Sequence, residues 1–213
     1  MKYIWHRRQQ PDLLVYFAGW GTPPSVIAHL GLPDGYDVLI CYDYRDLKLA
    51  FDFAPYRNIR VVAWSLGVWV AERVLSGYSL LSATAINGTA NPCDAQYGIP
   101  PAIFTATLAG LTPHSRQKFE RRMCGKGLSD YQQRQDQRRF DDLYAELTAL
   151  FHAICNDTRT DLLAWTHAVI GTQDKIFPAQ NQHAYWVNRC AVRTLEGEHY
   201  LLPAFSRWDE LWT

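Results

Sequence analysis

Short, nearly uninterrupted runs of apolar residues recur along the chain, and most are separated by segments with helical patterning. The apolar runs occupy residues 13–17, 37–42, 59–64, 80–86, 167–171 and 191–195. Runs of this kind are typical of strands that are buried on both faces of a parallel sheet. Helices are predicted at residues 24–30, 66–75, 178–189 and 202–212. Strands that alternate with helices at these spacings indicate βαβ units and a doubly wound sheet.

The alternation is interrupted between about residues 89 and 165. Residues 91–101 are rich in turn-forming types, whereas 114–124 and 129–155 are predicted to be helical. The second of these helices carries an amphipathic stripe formed by Leu143, Leu147, Leu150, Phe151 and Ile154. We therefore predict a single α/β domain over residues 1–213, with a helical insertion at about 89–165.

Composition narrows the class of protein. Of the 213 residues, 48% are hydrophobic, which is enough to form a buried core. The 21 basic residues balance the 21 acidic ones, so the chain lacks the excess of positive charge that is typical of a protein that coats nucleic acid. The cysteines are odd in number, widely spaced and without a C-x-x-C motif: Cys41, Cys93, Cys124, Cys155 and Cys190. This pattern favours free thiols in a reducing cytoplasm over disulfides or a zinc site. No apolar run reaches the length of a signal sequence or membrane span, so we expect a soluble cytoplasmic protein.

The clearest local motif, Ala63-Trp64-Ser65-Leu66-Gly67, joins a predicted strand directly to a helix. It differs from G-x-S-x-G only at its first position. A nucleophile elbow needs small residues two positions either side of its serine because the turn is tight. Ala63 and Gly67 meet that need, although the motif alone also fits a serine that merely caps a helix.

Two further polar residues follow later strands. Asp174 comes shortly after the fifth predicted strand, and His199 lies in a glycine-containing loop after the last one. Taken alone, Asp174 also fits a turn or a helix cap, and a loop histidine is more often exposed or structural. Asp157 and Asp161 are weaker candidates for an acid.

In combination these residues are more informative. Ser65, Asp174 and His199 occur in the order of the α/β-hydrolase triad. Because the carboxyl ends of parallel strands meet at one edge of a sheet, we expect the three side chains to lie together. Serine becomes a nucleophile when a base takes its proton, and the base needs an orienting carboxylate. The sequence therefore predicts a serine hydrolase.

An oxyanion hole needs two backbone N–H donors. We expect one from Leu66, which follows the nucleophile, and one from Trp20 in the Gly19-Trp20-Gly21 turn. The alternative for that turn is a glycine bend beside a core tryptophan. No metal-ligand spacing and no nucleotide-binding glycine motif is present, so we expect no metal and no cofactor.

The chain as a whole looks like an α/β-hydrolase, and three segments resemble one group within that fold. They are Phe17-Ala-Gly-Trp-Gly21, Tyr42-Asp-Tyr-Arg45 and Val62-Ala-Trp-Ser-Leu-Gly-Val-Trp69. These resemble the short pimeloyl-acyl-carrier-protein methyl ester esterases of biotin synthesis in some Gram-negative bacteria. The resemblance extends from about residue 13 to 199 and is least specific in the insertion.

This resemblance implies a mostly parallel sheet with helices on both faces and a helical lid. Because the chain is short for an α/β-hydrolase, we also expect a reduced sheet or lid. The resemblance also implies the triad Ser65, Asp174 and His199, with Trp20 in the oxyanion hole. The implied reaction removes the methyl group that masks a carboxylate during pimelate assembly. The implied partner is an acyl carrier protein that bears a methyl pimeloyl group, and we expect a monomer.

The resemblance changes the interpretation of the basic insertion. Residues 116–139 hold eight basic residues against three acidic ones, which by itself indicates a solvated helix face. A carrier protein is small and strongly acidic, and a basic lid would steer it to the site. The candidates for carrier-protein docking are Arg116, Arg121, Arg122, Arg138 and Arg139.

Two other functions remain open from the sequence. A thioesterase or short-chain esterase of the same fold would share the acyl-enzyme route, so a triad does not separate them. A non-catalytic binding module on a hydrolase fold would leave Ser65 unreactive towards a fluorophosphonate probe. Trp64 and Trp69 are our candidates for the wall of an aromatic acyl pocket.

Overall fold

A computed structural model of the protein describes residues 1–134 and 138–212. Within them, seven strands form one sheet in the order β1-β3-β2-β4-β5-β6-β7. The strands are β1 (Lys2–His6), β2 (Asp12–Phe17), β3 (Tyr36–Tyr42), β4 (Asn58–Trp64), β5 (Ser82–Ile86), β6 (His167–Gly171) and β7 (Ala191–Leu195). Strands β2 to β7 run parallel, and β1 pairs antiparallel with β3 at the edge. The mostly parallel sheet of the prediction is confirmed.

Helices cover the sheet and extend beyond its carboxyl edge. They are α1 (Leu66–Val74), α2 (Pro101–Ala109), α3 (Pro113–Cys124), α4 (Leu128–Arg134), α5 (Phe140–Asn156) and α6 (Ala179–Trp186). Four short 3₁₀ segments lie at Pro24–Leu30, Gly125–Gly127, Leu202–Ala204 and Trp208–Leu211 within the described residues. Helices α2 to α5 follow β5 in the chain, and we call them the lid. Among all the residues that the structure describes, no helix is long and apolar enough to cross a membrane.

Most of the predicted elements are present, and the differences have local causes. Strand β1 was not predicted, because this edge strand is largely exposed and lacks the apolar pattern of a buried strand. Helix α2 was missed because Pro100 and Pro101 read as turn residues, although proline is favoured in a first helical turn. The predicted helix 129–155 is two helices, α4 and α5, and its residues 135–137 lie outside the described part. The predicted final helix is two 3₁₀ turns, Leu202–Ala204 and Trp208–Leu211, which are separated by residues 205–207.

The hydrophobic core packs the carboxyl edge of the sheet against the helices of the lid. Strand β2 is buried along its whole length, as is β5. Each parallel strand ends at the carboxyl edge of the sheet. The turns that follow β2, β4, β5, β6 and β7 are therefore close together there. The candidate site is built from these five turns.

Candidate active site

Ser65 lies in a strained turn between β4 and α1. Its backbone has φ 59° and ψ −130°, a region that side chains with a Cβ rarely adopt. The N–H of Ser65 donates to the carbonyl of Ile86 on β5 at 2.9 Å, which fixes the turn to the neighbouring strand. The result is a side chain held above the carboxyl edge, at the N-terminus of α1.

The turn is tight because neighbouring backbone passes very close to it. A Cβ placed on Gly67 would lie 2.5 Å from the carbonyl oxygen of Ala18 and 2.6 Å from that of Phe17. A Cβ on Gly88 would lie 2.4 Å from the carbonyl oxygen of Ser65. Only glycine fits at either position, and Ala63 fits the same tight turn on the β4 side.

His199 links Ser65 to Asp174. The Oγ of Ser65 lies 2.8 Å from Nε2 of His199, and Nδ1 of His199 lies 2.8 Å from Oδ2 of Asp174. A carboxylate only accepts, so Nδ1 carries the imidazole proton and Nε2 accepts from the serine hydroxyl. His199 is 1% exposed and its ring stacks on Phe177 at a centroid distance of 5.9 Å.

Asp174 is held by its own loop and by α6. Its Oδ1 accepts from the N–H groups of Ile176 at 2.8 Å and Phe177 at 3.0 Å. Its Oδ2, the atom that faces His199, also accepts from Nε2 of the fully buried Gln182 at 2.9 Å. The carboxylate is therefore fixed in orientation through both oxygens.

The histidine loop is fixed by two buried side chains. Nδ2 of Asn87 donates to the carbonyls of Glu198 and His199 at 3.0 and 2.9 Å, while its Oδ1 accepts from Gly171 N–H at 2.7 Å. Nε1 of Trp64 donates to the same His199 carbonyl at 3.0 Å. The turn after β5 thus holds the turns after β6 and β7 together.

The backbone at Trp20 and at Leu66 lies close to Ser65. A Cβ on Gly19, the residue before Trp20, would lie 3.2 Å from Cβ of Ser65. Leu66 is the first residue of α1, whose leading N–H groups have no partner within the helix. The backbone of both residues therefore borders the serine, where an oxyanion would form.

An apolar pocket of about 610 Å³, including its open mouth, lies over these residues. Ser65, His199 and Trp64 line its floor, and the lid supplies apolar walls from α2, α3 and α5. The wall residues include Ile103, Phe104, Phe119, Met123 and Leu147, and Arg122 and Lys175 add positive charge. Trp64 therefore lies where we expected it. Trp69 does not, because it is buried on α1 beneath the guanidinium of Arg73.

The lid arginines separate into two sets, and two docking candidates need correction. Arg116 is 4% exposed and its Nε pairs with Glu120 at 3.0 Å, while Arg138 pairs with the buried Glu146 at 2.8 Å. Because both guanidinium groups pair with acidic side chains and are largely shielded from solvent, we do not retain Arg116 and Arg138 as docking candidates.

The other three docking candidates are on the surface. Arg121 and Arg122 lie on the exposed face of α3, and Arg122 donates to the carbonyl of Lys175 beside the pocket. Arg139 is exposed and lies 3.4 Å from Asp141. These three remain predictions.

Glu146, Asn87 and Gln182 were missed by the sequence analysis. Glu146 interrupts the apolar stripe of α5 between Leu143 and Leu147, and a charge inside such a stripe is a usable signal of a buried polar contact. Burial raises the pKa of Glu146, against the opposing charge of Arg138. No sequence pattern distinguishes Asn87 or Gln182 from ordinary turn and helix residues.

The mostly parallel sheet, the serine in a tight strand-to-helix turn and the pocket above it define a protein with the α/β-hydrolase fold. A lipase-esterase related protein from Clostridium acetobutylicum shares the fold, with a TM-score of 0.66 at 13% identity over 94% of this chain and 93% of that one. Among the described residues, no group of three or more His, Cys, Asp or Glu side chains is arranged to hold a metal ion.

Residues 1–211 match the family described as pimeloyl-ACP methyl esterase BioG, and the chain belongs to that family. A crystal structure of BioG from Haemophilus influenzae is 54% identical and covers all of both chains, with a TM-score of 0.97. The family resemblance drawn from the sequence is confirmed, as is the esterase function in biotin synthesis that it implies.

A second relative is longer than this chain. A malonyl-[acyl-carrier protein] O-methyltransferase from Bacteroides fragilis is 41% identical over 197 residues, which are 89% of this chain and 39% of that protein. The match thus covers less than half of that relative.

Proposed function

We propose that Ser65, His199 and Asp174 catalyse hydrolysis of the methyl ester of pimeloyl-acyl carrier protein through an acyl-enzyme. The observation that carries this proposal is the continuous chain of hydrogen bonds from Asp174 through His199 to Ser65, at the floor of an apolar pocket. A seryl hydroxyl bonded to an oriented imidazole is the arrangement that activates it for attack on a carbonyl.

In the first half-reaction, Oγ of Ser65 attacks the ester carbonyl while Nε2 of His199 takes the hydroxyl proton. The backbone N–H groups of Trp20 and Leu66 donate to the oxyanion that forms. Asp174 stabilises the imidazolium, and His199 then protonates the departing methanol. In the second half-reaction His199 activates a water molecule, which releases the free carboxylate and regenerates Ser65.

The test is release of methanol from methyl pimeloyl-acyl carrier protein by the purified enzyme, with Ser65→Ala as the matched variant. We expect demethylation by the wild type and a loss of at least about 10³-fold in the variant. Cleavage of small esters without demethylation of the carrier-linked substrate would retain the nucleophile and overturn the substrate. Release of the carrier thiol in place of methanol would indicate a thioesterase.

We further propose that the carrier protein docks on an exposed basic face of the lid. This face consists of Lys118, Arg121, Arg122 and Lys126, which we call the α3 basic face. The residues recur at spacings of three and four along α3 and its extension, so they share one side. Arg122 also lines the pocket, so this face borders the cavity, which supports docking of the carrier protein there. Arg139 is a further candidate.

Charge reversal tests the docking face. We expect Arg121→Glu to lower kcat/KM for the carrier-linked ester by about 10-fold and to leave a small methyl ester within about twofold, since only the former depends on encounter with an acidic protein. Arg7→Glu is the matched control, because Arg7 is an exposed arginine that directly follows the edge strand β1 and lies outside the lid. An equal loss on both substrates would contradict docking at this face.

We propose that the enzyme acts as a monomer in the cytoplasm. All five cysteines are free, with Cys41 and Cys124 buried, as expected for a protein kept in a reducing compartment. A single elution volume that corresponds to 24.5 kDa in size-exclusion chromatography would support the monomer, and a doubled mass would contradict it.

A further inference from the structure

The turn that carries Trp20 is held from the lid side. Nη2 of Arg116 on α3 donates to the carbonyl of Gly21 at 3.3 Å, and Oε2 of Glu146 on α5 accepts from the N–H of Gly21 at 3.2 Å. The indole Nε1 of Trp20 donates to the carbonyl of Leu143 on α5 at 2.9 Å. Two lid helices therefore hold the residue that follows the expected oxyanion donor, one through its carbonyl and one through its amide.

Both charged residues are bound on several sides. Oε1 of Glu146, a fully buried side chain, accepts from the N–H of Tyr44 at 3.0 Å, and Oε2 also accepts from Arg138 at 2.8 Å. The guanidinium of Arg116 lies 4.7 Å from the ring centroid of Trp20, and its Nη2 also donates to the hydroxyl of Tyr131 at 3.2 Å. Hydrogen bonds of this number fix the position of a charge that would otherwise be costly to bury.

The turn has little support of its own. Its two glycines leave the backbone free to take several conformations, and Gly21 has φ +66°. Within the turn, the N–H and hydroxyl of Thr22 bond the carbonyl of Gly19 at 3.3 and 2.7 Å. These two bonds join Gly19 and Thr22, whereas the polar contacts to Gly21 come from the lid.

We propose that Arg116 and Glu146 are positioning residues for the oxyanion hole, so that the lid completes the catalytic site as well as covering it. This inference rests on the proposed roles of Ser65 and Trp20. Oxyanion donors act through their preorganised placement, and loss of one donor costs about 10²- to 10³-fold in kcat. Loss of an orienting contact leaves the donor present and displaces it, so the expected effect is smaller.

The test compares Glu146→Gln and Arg116→Lys with the wild type on a small methyl ester, where carrier docking plays no part. We expect kcat to fall by about 10- to 100-fold while KM stays within about threefold, because the ground-state ester makes little use of the oxyanion hole. A boronic acid that forms a tetrahedral adduct on Ser65 should lose affinity by a similar factor, because its adduct places an oxygen in the hole.

Asp141→Asn on the exposed side of α5 is the control, since it makes the same chemical change as Glu146→Gln and should leave both measurements unchanged. A variant with a raised KM and unchanged kcat, or with unchanged boronate affinity, would overturn the inference. If Glu146→Gln fails to fold, Arg116→Lys decides the question, because it keeps the charge and removes the forked geometry. A wild type without activity on any ester would overturn the proposed function and this inference together, whereas failure on the carrier-linked ester alone would overturn only the substrate.

Discussion

At the scale of single residues, Asn87 connects the ends of three strands at the site, although no motif identified it. Its side chain bonds the N–H of Gly171, the last residue of β6, and the carbonyls of Glu198 and His199 after β7. It also has φ 44°, a conformation that asparagine tolerates better than most residues. An amide is required here because one end of the side chain donates and the other accepts.

Replacing Asn87 by Asp tests this role with almost no change in shape. A carboxylate still accepts from Gly171, but it places negative charge against two carbonyls to which Asn87 donates. We expect a loss of about 2 kcal/mol in the free energy of unfolding and a fall of at least about 10-fold in kcat, as the histidine loop shifts. Urea denaturation and esterase assays measure the two effects. Unchanged kcat in a folded variant would show that Asn87 does not position His199.

Gly67→Ala tests the close approach at the serine turn. Its new methyl group would lie 2.5 Å from the carbonyl oxygen of Ala18, so β2 and α1 must separate. We expect the free energy of unfolding to fall by about 2 kcal/mol or more, with esterase activity largely lost. Gly127→Ala is the control, because its added Cβ meets its nearest neighbour, Tyr200, at an ordinary 3.4 Å. Equal thermal midpoints for the two variants would contradict this account.

Residue types and strand ends predicted Ser65, Asp174 and His199, because each follows a strand whose apolar run is visible in the sequence. The docking arginines were harder to predict, because the burial of an arginine depends on which face of its helix packs against the core. Arg116 shares the inward face of α3 with Phe119 and Met123, which follow it at helical spacing. That spacing in the sequence could have predicted that Arg116 is buried. For Glu146, its partners Gly21 and Tyr44 lie more than 100 residues away, so no local pattern names them.

At the scale of elements, a network of charges fastens the lid to the turn after β3. Asp43 is 3% exposed and pairs with Arg45 at 2.7 Å, Lys2 at 3.1 Å and Arg138 at 3.3 Å. Arg138 in turn pairs with Glu146, so β1, the β3 turn and α5 are joined through one cluster. Burial acts to raise the pKa of Asp43, but the bonds from Arg45 and Lys2 outweigh it and leave the pKa below its usual value.

Asp43→Asn should therefore destabilise the protein in a pH-dependent manner. Asparagine suits the positive φ of 56° at this position, so the change removes the charge without straining the backbone. A carboxylate with a lowered pKa in the folded state stabilises it above the pKa of the unfolded chain, and that contribution is lost as pH falls towards the folded pKa. We expect a deficit of about 2 kcal/mol at pH 7 that shrinks below about pH 4.

Urea titrations of wild type and variant across this range measure the difference. Asp34→Asn, at an exposed position, is the control. A deficit that is the same at pH 7 and in acid would show that the charge of Asp43 is not its cause.

At the scale of the whole molecule, zero net charge conceals an uneven distribution. The chain has 21 basic and 21 acidic residues, yet residues 116–139 carry eight basic against three acidic. Arg116 and Arg138 are neutralised internally, which leaves the surplus on the exposed side of α3 beside the pocket mouth. A local field of this kind attracts an acidic partner even when the protein as a whole is neutral.

Salt should therefore distinguish the two substrate classes. Charges on the α3 basic face are exposed, and at about 0.15 M ionic strength their field is screened beyond about 8 Å, with stronger screening at higher salt. We expect kcat/KM for methyl pimeloyl-acyl carrier protein to fall by about 10-fold or more between low and high salt, mainly through KM, while a small neutral methyl ester changes little. Arg121→Glu should flatten the salt dependence for the carrier-linked ester, and Arg7→Glu should preserve it. If kcat/KM had the same salt dependence for both substrates, charge would not steer the encounter with the carrier protein. Docking would then depend on apolar contact around the pocket mouth, where Ile103 is exposed.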